Sequence, residues 1–299
     1  MSANNNLTVG FIGIGNMGWP MASHIKAKGY HLSVFDTDAK RASDFAQETG
    51  ASAVSLAELA SADVIITMLP TGQIVREVLL ESAEGAFINN ARAGTIVVDM
   101  SSSEPTDTQA LGQELAEKKI TLIDAPVSGA VPRAKLGTLT IMAGGNDKAA
   151  LEKVKPILLT MGDRVFDTGD LGSGHAVKAL NNFIAATSYT ATAEALLIAE
   201  RFGLDKNTLI DIVNVSTGQT FISEKVVKEH LLEGKYATGF ALGLLAKDVG
   251  IAADLGAAVN LDAPLSRLIR DRWMLARDRL GHDADNTEAI KSWDDDLQN

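Results

Sequence analysis

The chain has 299 residues and a formal net charge of −11, with 46% apolar and 22% charged residues. That length and balance fit a soluble globular protein of two domains. The negative charge argues against nucleic acid, which rewards a basic face, but leaves room for a local positive site holding a small anion. There is no cysteine, which excludes disulfides, thiolate catalysis and Cys-ligated zinc. The five histidines are scattered with no H-E-x-x-H, so a metal site has no sequence support. Residues 1–6 are polar and uncharged, without the apolar core of a signal peptide, and the cytoplasm is the default expectation.

Taken in chain order, residues 7–12 are apolar and β-branched and read as a buried strand. They run into Gly13-Ile14-Gly15-Asn16-Met17-Gly18, a G-x-G-x-x-G, and then a helical pattern in which Met17, Met21 and Ile25 recur at spacing four up to Gly29. A second strand, 31–35, ends at Asp36. Each part has a task in holding a dinucleotide. Gly13 makes the tight turn, Gly15 lets the backbone approach a pyrophosphate, Gly18 lets the helix pack on the strand, and the helix N-terminus faces the phosphates. Asp36 stands where a carboxylate binds a ribose 2′-hydroxyl. It would repel a 2′-phosphate, and Thr37 follows it in place of an arginine, so NAD is expected over NADP. Lys40 and Arg41 read as an exposed helix face.

Further strands are expected at 64–69, 95–100, 121–124, 138–143 and 164–167, with helices between several of them, including 104–118 and 148–161. The alternation implies an α/β fold, a Rossmann-type, doubly wound, mostly parallel sheet over residues 1–170. Such sheets bind ligands beyond the carboxyl ends of their strands. That places Leu69-Pro70-Thr71, Ser101-Ser102 and Pro126-Val127-Ser128-Gly129 around one crevice.

After Asp170 only helical patterns follow, so residues 171–299 are expected to form an all-α domain. No proline or glycine interrupts 174–201, a helix of about 40 Å that would join the two domains. Its Ala- and Thr-rich run 183–199 contains Glu194 and many hydroxyls, which argues against a membrane span. Small residues there suit close helix–helix packing. Other helices are expected at 206–215, 223–232, 241–255, 264–280 and 287–294.

Gly172-Ser173-Gly174-His175-Ala176-Val177-Lys178-Ala179-Leu180-Asn181-Asn182 opens the long helix. Lys178 and Asn182 are four residues apart and share one helix face. A lysine among small apolar residues is poorly solvated and gives up its proton more readily, which suits acid–base work. His175 is the competing base, although a histidine at a helix start more often caps the helix or lies on the surface.

With these motifs in place, the chain resembles the β-hydroxyacid dehydrogenases, the family of 3-hydroxyisobutyrate dehydrogenase and tartronate semialdehyde reductase. The resemblance rests on residues 11–18, on Asp124-Ala125-Pro126-Val127-Ser128-Gly129, on residues 172–182 and on Lys247-Asp248. It implies that Lys178 is the catalytic acid/base and Asn182 its substrate-binding partner. Ser128 and Gly129 would hold the substrate carboxylate. Thr95 and Lys247 would contact the cofactor, beside Gly13, Ile14, Gly15, Asn16, Met17, Asp36, Leu69 and Pro70. The like charge of Lys247 would help to lower the proton affinity of Lys178. The sequence departs from the family pattern at Ala130, where a second glycine is usual. The expected reaction interconverts a small 3-hydroxy acid and its semialdehyde with NAD(H), in a homodimer or homotetramer formed through the helical domain.

Three other readings fit the same architecture. Decarboxylating dehydrogenases of the 6-phosphogluconate type carry a glutamate three residues after the asparagine, where this chain has Ala185. Imine reductases usually replace the lysine. Non-catalytic nucleotide-binding modules tend to lose the lysine and gain basic extensions, whereas this acidic chain keeps Lys178 and Asn182. Arg133, Lys135, Thr217, Gln219, Thr220, Phe221 and Phe240 are candidate pocket neighbours, each with an ordinary structural role open to it.

Overall fold

A computed structural model describes residues 7–81 and 87–295, so the polar start at residues 1–6 lies outside it. The chain divides into two compact units between Lys178 and Ala179.

The first unit is built on one sheet. Its strands are β1 (Thr8–Ile12), β2 (His31–Phe35), β3 (Ser52–Ala53), β4 (Val64–Thr67), β5 (Ile96–Asp99), β6 (Thr121–Asp124), β7 (Val127–Ser128), β8 (Leu139–Gly144) and β9 (Gly162–Gly169). They lie in the order β3-β2-β1-β4-β5-β6-β8-β7, with β9 on the far side of β8. The strands from β3 to β6 are parallel. β8 runs antiparallel to β6 and β7, and β9 parallel to β8. The sheet is therefore mostly parallel, as the alternation suggests, with one reversal of direction at β8. The link from β6 to β8 holds only the two-residue β7 and the seven-residue helix Ala130–Leu136, and a short return lets a strand run back antiparallel.

The central strands are apolar on both faces because both faces are covered. Val64, Ile66, Val98 and Ile123 share one core with Met21 and Ile25 of α1 (Gly18–Ala27). The alternating Ile65, Val97 and Leu122 share another with Leu111 and Leu115. Each fully buried side chain of this kind contributes about 1.5–3 kcal/mol. Between the strands lie α2 (Ala39–Thr49), α3 (Leu56–Leu59), α4 (Gly72–Arg76) running into a π turn, α5 (Phe87–Asn90), α6 (Pro105–Glu117), α7 (Ala130–Leu136) and α8 (Lys148–Met161). The polar, largely exposed β9 extends beyond its predicted 164–167 by pairing with β8.

The long helix, α9 (Ser173–Phe202), opens in the first unit and continues through the second. The second unit holds α10 (Lys206–Val213), a π-helix (Ile222–Leu232), α11 (Leu242–Ala258), α12 (Pro264–Leu280) and α13 (Ala289–Asp295), the last preceded by a 3₁₀ turn. Its core centres on Trp273, Trp293 and Tyr189, all fully buried. The two indoles meet edge to face at 5.5 Å, and the Trp273 indole N–H donates to the Thr190 hydroxyl at 3.0 Å. Thr187, Thr190 and Thr192 donate their hydroxyls to the carbonyls four residues earlier, which is how a helix so rich in threonine keeps them satisfied. α10 stops before the predicted 215 because Asn214 turns its side chain onto the start of the π-helix, accepting from the Ser223 hydroxyl at 2.7 Å. Among the described residues, no helix is long and apolar enough to cross a membrane.

Candidate active site

The three glycines after β1 are required for three different reasons. Gly13 has φ +97°, and a Cβ there would lie 2.4 Å from the Met68 carbonyl oxygen. At Gly18 a Cβ would fall 1.8 Å from the Gly13 carbonyl oxygen, so the helix rests directly on the turn. Nothing stands within 4 Å of the place a Gly15 Cβ would occupy; the backbone is bare there. Asn16 and Met17 complete the turn, and Met17 offers no side-chain cap to the first N–H groups of α1. A bare backbone at a helix start is what a pyrophosphate needs, and the residues present fit a dinucleotide.

Asp36 does more than the sequence reading assigns to it. Its Oδ2 accepts from the Ile14 N–H at 2.7 Å and its Oδ1 from the Asp38 N–H at 2.9 Å. The carboxylate thus ties the glycine turn to the end of β2. Arg41 lies on the exposed helix face expected of it, and its guanidinium stands 3.5 Å from both Asp36 and Asp38. Lys40 pairs outward with Asp44.

The loops after β4 and β5, which sequence reasoning brings to one crevice, are stitched together around Asp99, which it passed over. Asp99, at the end of β5 and buried, accepts the hydroxyls of Thr67 and Ser103 at 2.8 Å each and the Ser101 N–H at 3.0 Å. The Ser101 hydroxyl accepts from the Leu69 N–H at 2.9 Å, which fixes the Leu69-Pro70 segment. Gly72 approaches Ser103 so closely that a Cβ would meet it at 2.8 Å. The run of Ser101-Ser102-Ser103 after an aspartate was the available signal. Thr95 is not brought to this group. It is buried at the entry of β5, with its hydroxyl toward the Ala62 carbonyl at 3.5 Å, at the opposite end of the strand from Asp99.

Val127-Ser128, which the sequence places beyond the strand ends, forms β7 against β8, with Ser128 opposite Thr140. Gly129 follows at φ +135° and Ala130 at φ +51°. Ala130 therefore takes the left-handed backbone that favours glycine, which accounts for the second glycine in the family pattern and leaves this chain strained by its methyl. The helix that follows is anchored at its far end by His24, whose Nε2 lies 3.1 Å from both the Ala134 and Lys135 carbonyls. Arg133 faces Asp163 at 3.4 Å, and Lys135 is exposed.

The start of α9 is held by Asp124, the last residue of β6. Its Oδ1 accepts from the Gly172 N–H and its Oδ2 from the His175 N–H, both at 2.8 Å. Asp124 thereby caps two of the N–H groups that a helix start leaves without partners. Burial pushes its carboxyl above the usual range, against the pull of His175 and of the N–H groups. Gly174 must be glycine for contact, since a Cβ would lie 2.2 Å from the Met142 carbonyl oxygen. His175 is neither a cap nor a surface residue: its ring is fully buried. Nδ1 lies 2.8 Å from the Thr108 hydroxyl and Nε2 3.2 Å from the Ser101 carbonyl. Enclosed in this way, the ring is buried where Lys178 is partly exposed. Lys178 follows three residues later and is half-buried, less enclosed than its apolar neighbours suggest.

In the second unit, Asn182 is buried and donates its amide to Asp248 Oδ2 at 2.6 Å. Asp248 is buried too. Among the described residues its Oδ1 has no hydrogen-bond partner, and it faces the Lys247 ammonium at 3.4 Å. The late Lys-Asp pair and the asparagine of α9 thus form one group. Of the candidate pocket neighbours here, Thr220 exchanges hydrogen bonds with Ser223 at the head of the π-helix. Gln219 reaches Glu224 at 3.3 Å, Phe221 is exposed, and the Phe240 carbonyl accepts from Asn286. Thr217 is exposed.

Comparison with known proteins gives matches along both parts of the chain. Residues 8–169 match the NAD binding domain of 6-phosphogluconate dehydrogenase, and residues 172–293 match the NAD-binding domain of NADP-dependent 3-hydroxyisobutyrate dehydrogenase. The 2-(hydroxymethyl)glutarate dehydrogenase of Eubacterium barkeri is 35% identical over 97% of this chain and 95% of its own length. An NAD-dependent L-serine dehydrogenase of Pseudomonas aeruginosa is 35% identical over 87% of this chain and 89% of its own length. Among solved structures, a Mycobacterium tuberculosis 3-hydroxyisobutyrate dehydrogenase with L-serine superposes with a TM-score of 0.87 at 31% identity, covering 96% of this chain and 99% of that one.

Proposed function

We propose, from the chain's membership of the β-hydroxyacid dehydrogenase family, to which it belongs, that this NAD(P)-dependent oxidoreductase interconverts a small 3-hydroxy acid and its semialdehyde with NAD(H). The observation that carries the reading is the anchoring of the α9 start. Asp124 and the packing at Gly174 hold it at the carboxyl ends of the strands, the end at which the bare Gly15 backbone also lies. Lys178 is in the first turns of that helix.

In this reading Gly13, Ile14, Gly15, Asn16 and Met17 would hold the dinucleotide together with Asp36, Leu69 and Pro70, and Lys247 would contribute a cation. When bound it supplies the hydride acceptor or donor. Lys178 takes the hydroxyl proton of the alcohol in one direction and returns it to the carbonyl oxygen in the other. The Ser128 hydroxyl and the Gly129 N–H hold the substrate carboxylate. Asn182, one helical turn after Lys178, orients the reacting hydroxyl. Ala185 has no proton to give to a carbanion, which favours simple alcohol–aldehyde exchange over decarboxylation. The carboxylate and 3-hydroxyl shared by the substrates that the relatives are named for support the substrate class. Asp36 supports NAD over NADP. Exposed leucines on α12 (Leu265, Leu268 and Leu275) and exposed Ile184 and Ile198 on α9 support a homo-oligomer formed through helical surfaces.

Lys178 is the residue to test. Lys178→Ala is expected to cut kcat by roughly 10²–10⁴, the range for a general acid/base, with cofactor affinity little changed. Lys178→Arg is expected to be nearly as damaging, because guanidinium keeps its proton near neutrality. Asn182→Ala is expected to change kcat and KM together. Wild-type kcat in Lys178→Ala, where chemistry limits turnover, would sink the assignment.

A further inference from the structure

We propose that His24 is a positioning residue for the substrate loop: from α1, the cofactor helix, it clamps the far end of α7 and so keeps Ser128 and Gly129, at the near end, in place. The positioning role rests on the reading of Ser128 and Gly129 as the loop that holds the substrate carboxylate; the clamp does not.

α7 is too short to hold its own geometry. It has seven residues, just under two turns, and helices of that length need contacts from outside. Its start is unfavourable as well. Gly129 stands at φ +135° with no side chain to cap the first N–H groups, and Ala130 at φ +51° takes a backbone that residues with a Cβ avoid. The helix is fastened at its other end. There the Gly137 N–H donates to the Ala134 carbonyl at 3.2 Å and the Thr138 N–H to the Arg133 carbonyl at 3.0 Å, which closes the last turn.

His24 ties that closed end to α1. Its Nε2 lies 3.1 Å from the Ala134 carbonyl oxygen and 3.1 Å from that of Lys135. A carbonyl only accepts, so Nε2 is the donor to both, in a neutral ring as in a charged one. The imidazole lies against Gly137, where a Cβ would stand 3.2 Å from its Cε1 and Nε2. Ala134 is buried in one core with Met21, Ala22 and Ile25 of α1, so the clamp closes over an apolar contact. The other tie of α7, Arg133 to Asp163 at 3.4 Å, joins two half-exposed side chains and is weak. From Ala134 back to Gly129 is about 8 Å along the helix axis, so a shift at the clamp reaches the loop through one rigid piece. α1 for its part starts at Gly18, seated on the glycine turn. One imidazole thereby joins the turn proposed for the dinucleotide to the loop proposed for the carboxylate.

Two variants test this. His24→Ala removes the donor at a half-buried helix position that alanine suits, and His24→Gln keeps an amide N–H donor. Hydrogen exchange on the full chain without cofactor, read by mass spectrometry, needs no substrate. In His24→Ala the amides of residues 133–138 are expected to exchange about tenfold faster or more while those of β1 keep their rate, and in His24→Gln to stay within about threefold of the natural protein. In kinetics with 3-hydroxypropanoate, the smallest 3-hydroxy acid, His24→Ala is expected to raise KM about tenfold or more, as misplacement of a binding group does, with kcat changed by less than about threefold. The Kd for NAD, measured by calorimetry, is expected to stay within about twofold, and His24→Gln to recover most of the KM. Unchanged exchange in His24→Ala overturns the clamp. Faster exchange with an unchanged KM, where Ser128→Ala does raise KM, overturns the positioning role. An unchanged KM in both His24→Ala and Ser128→Ala overturns the carboxylate reading of the loop and the positioning role with it.

Discussion

Replacing Gly174 with alanine asks how tightly the start of α9 is seated. The added Cβ would lie 2.2 Å from the Met142 carbonyl oxygen, 2.9 Å from Asp124 Oδ2 and 3.0 Å from the Asp124 carbonyl oxygen. Two of the three are backbone atoms of central strands, which cannot swing aside. Comfortable contact between heavy atoms is about 3.5–4.0 Å, so the helix start must retreat by roughly 1 Å. Overpacking of this kind costs about 1–3 kcal/mol. The retreat also stretches the 2.8 Å bonds from Gly172 and His175 to Asp124, and a hydrogen bond to a charged group is worth about 1.5–3 kcal/mol. Against this stands the better helix propensity of alanine, about 1 kcal/mol. The net expectation is a loss of about 2 kcal/mol or more, seen as a lower urea midpoint with an unchanged slope. Because Lys178 moves with the helix start, kcat is expected to fall by up to about 10²-fold while cofactor KM holds. A Gly174→Ala protein with wild-type midpoint and wild-type kcat would refute the reasoning.

Asp36→Ala removes the acceptor for the Ile14 N–H and is expected to raise the KM for NAD about tenfold, the cost of a lost charge-assisted bond; adding Thr37→Arg is expected to move kcat/KM toward NADP, measured with both cofactors. The Asp124 carboxyl is raised in the fold from 3.8, first by burial, so folding takes up a proton. The stability this group contributes is present below the ordinary value and is lost as pH rises through the raised one. The stability of the natural protein minus that of Asp124→Asn is therefore expected to fall as pH increases from 3.8 upward, and urea midpoints that keep or widen the difference over that range would contradict it. Light scattering at micromolar concentration is expected to give at least twice the chain mass of 31.6 kDa, and Leu268→Lys, on the exposed stripe of α12, is expected to weaken the assembly.

Much of this was readable from local pattern. The strand, the three glycines, the helix and Asp36 follow from side-chain period and backbone freedom within thirty residues, and so does the uninterrupted α9. What escaped depends on groups distant in sequence. The burial of His175 follows from Asp99 and Asp124, residues 76 and 51 positions earlier, and nothing near the helix start announces it. The turn-holding role of Asp36 needs the 22-residue return to Ile14. The end of β5 at which Thr95 stands follows from the strand's direction in the sheet, which residue type alone does not carry. Two residues show no alternation, so nothing local marks the short β7 as a strand.

The unbroken course of α9 also bears on how the chain can tolerate insertions and deletions. Lys178 and Asn182 share one helix, so the distance between their positions along its axis, about 6 Å, is set by backbone hydrogen bonding and needs no loop to maintain it. A residue inserted into an exposed connection changes only its length. One inserted between these two would swing everything beyond it by about 100° around the axis, taking the asparagine off the face it shares with the lysine. The stretch from 178 to 182 thus works as a ruler, free to change most of its lettering but not its count.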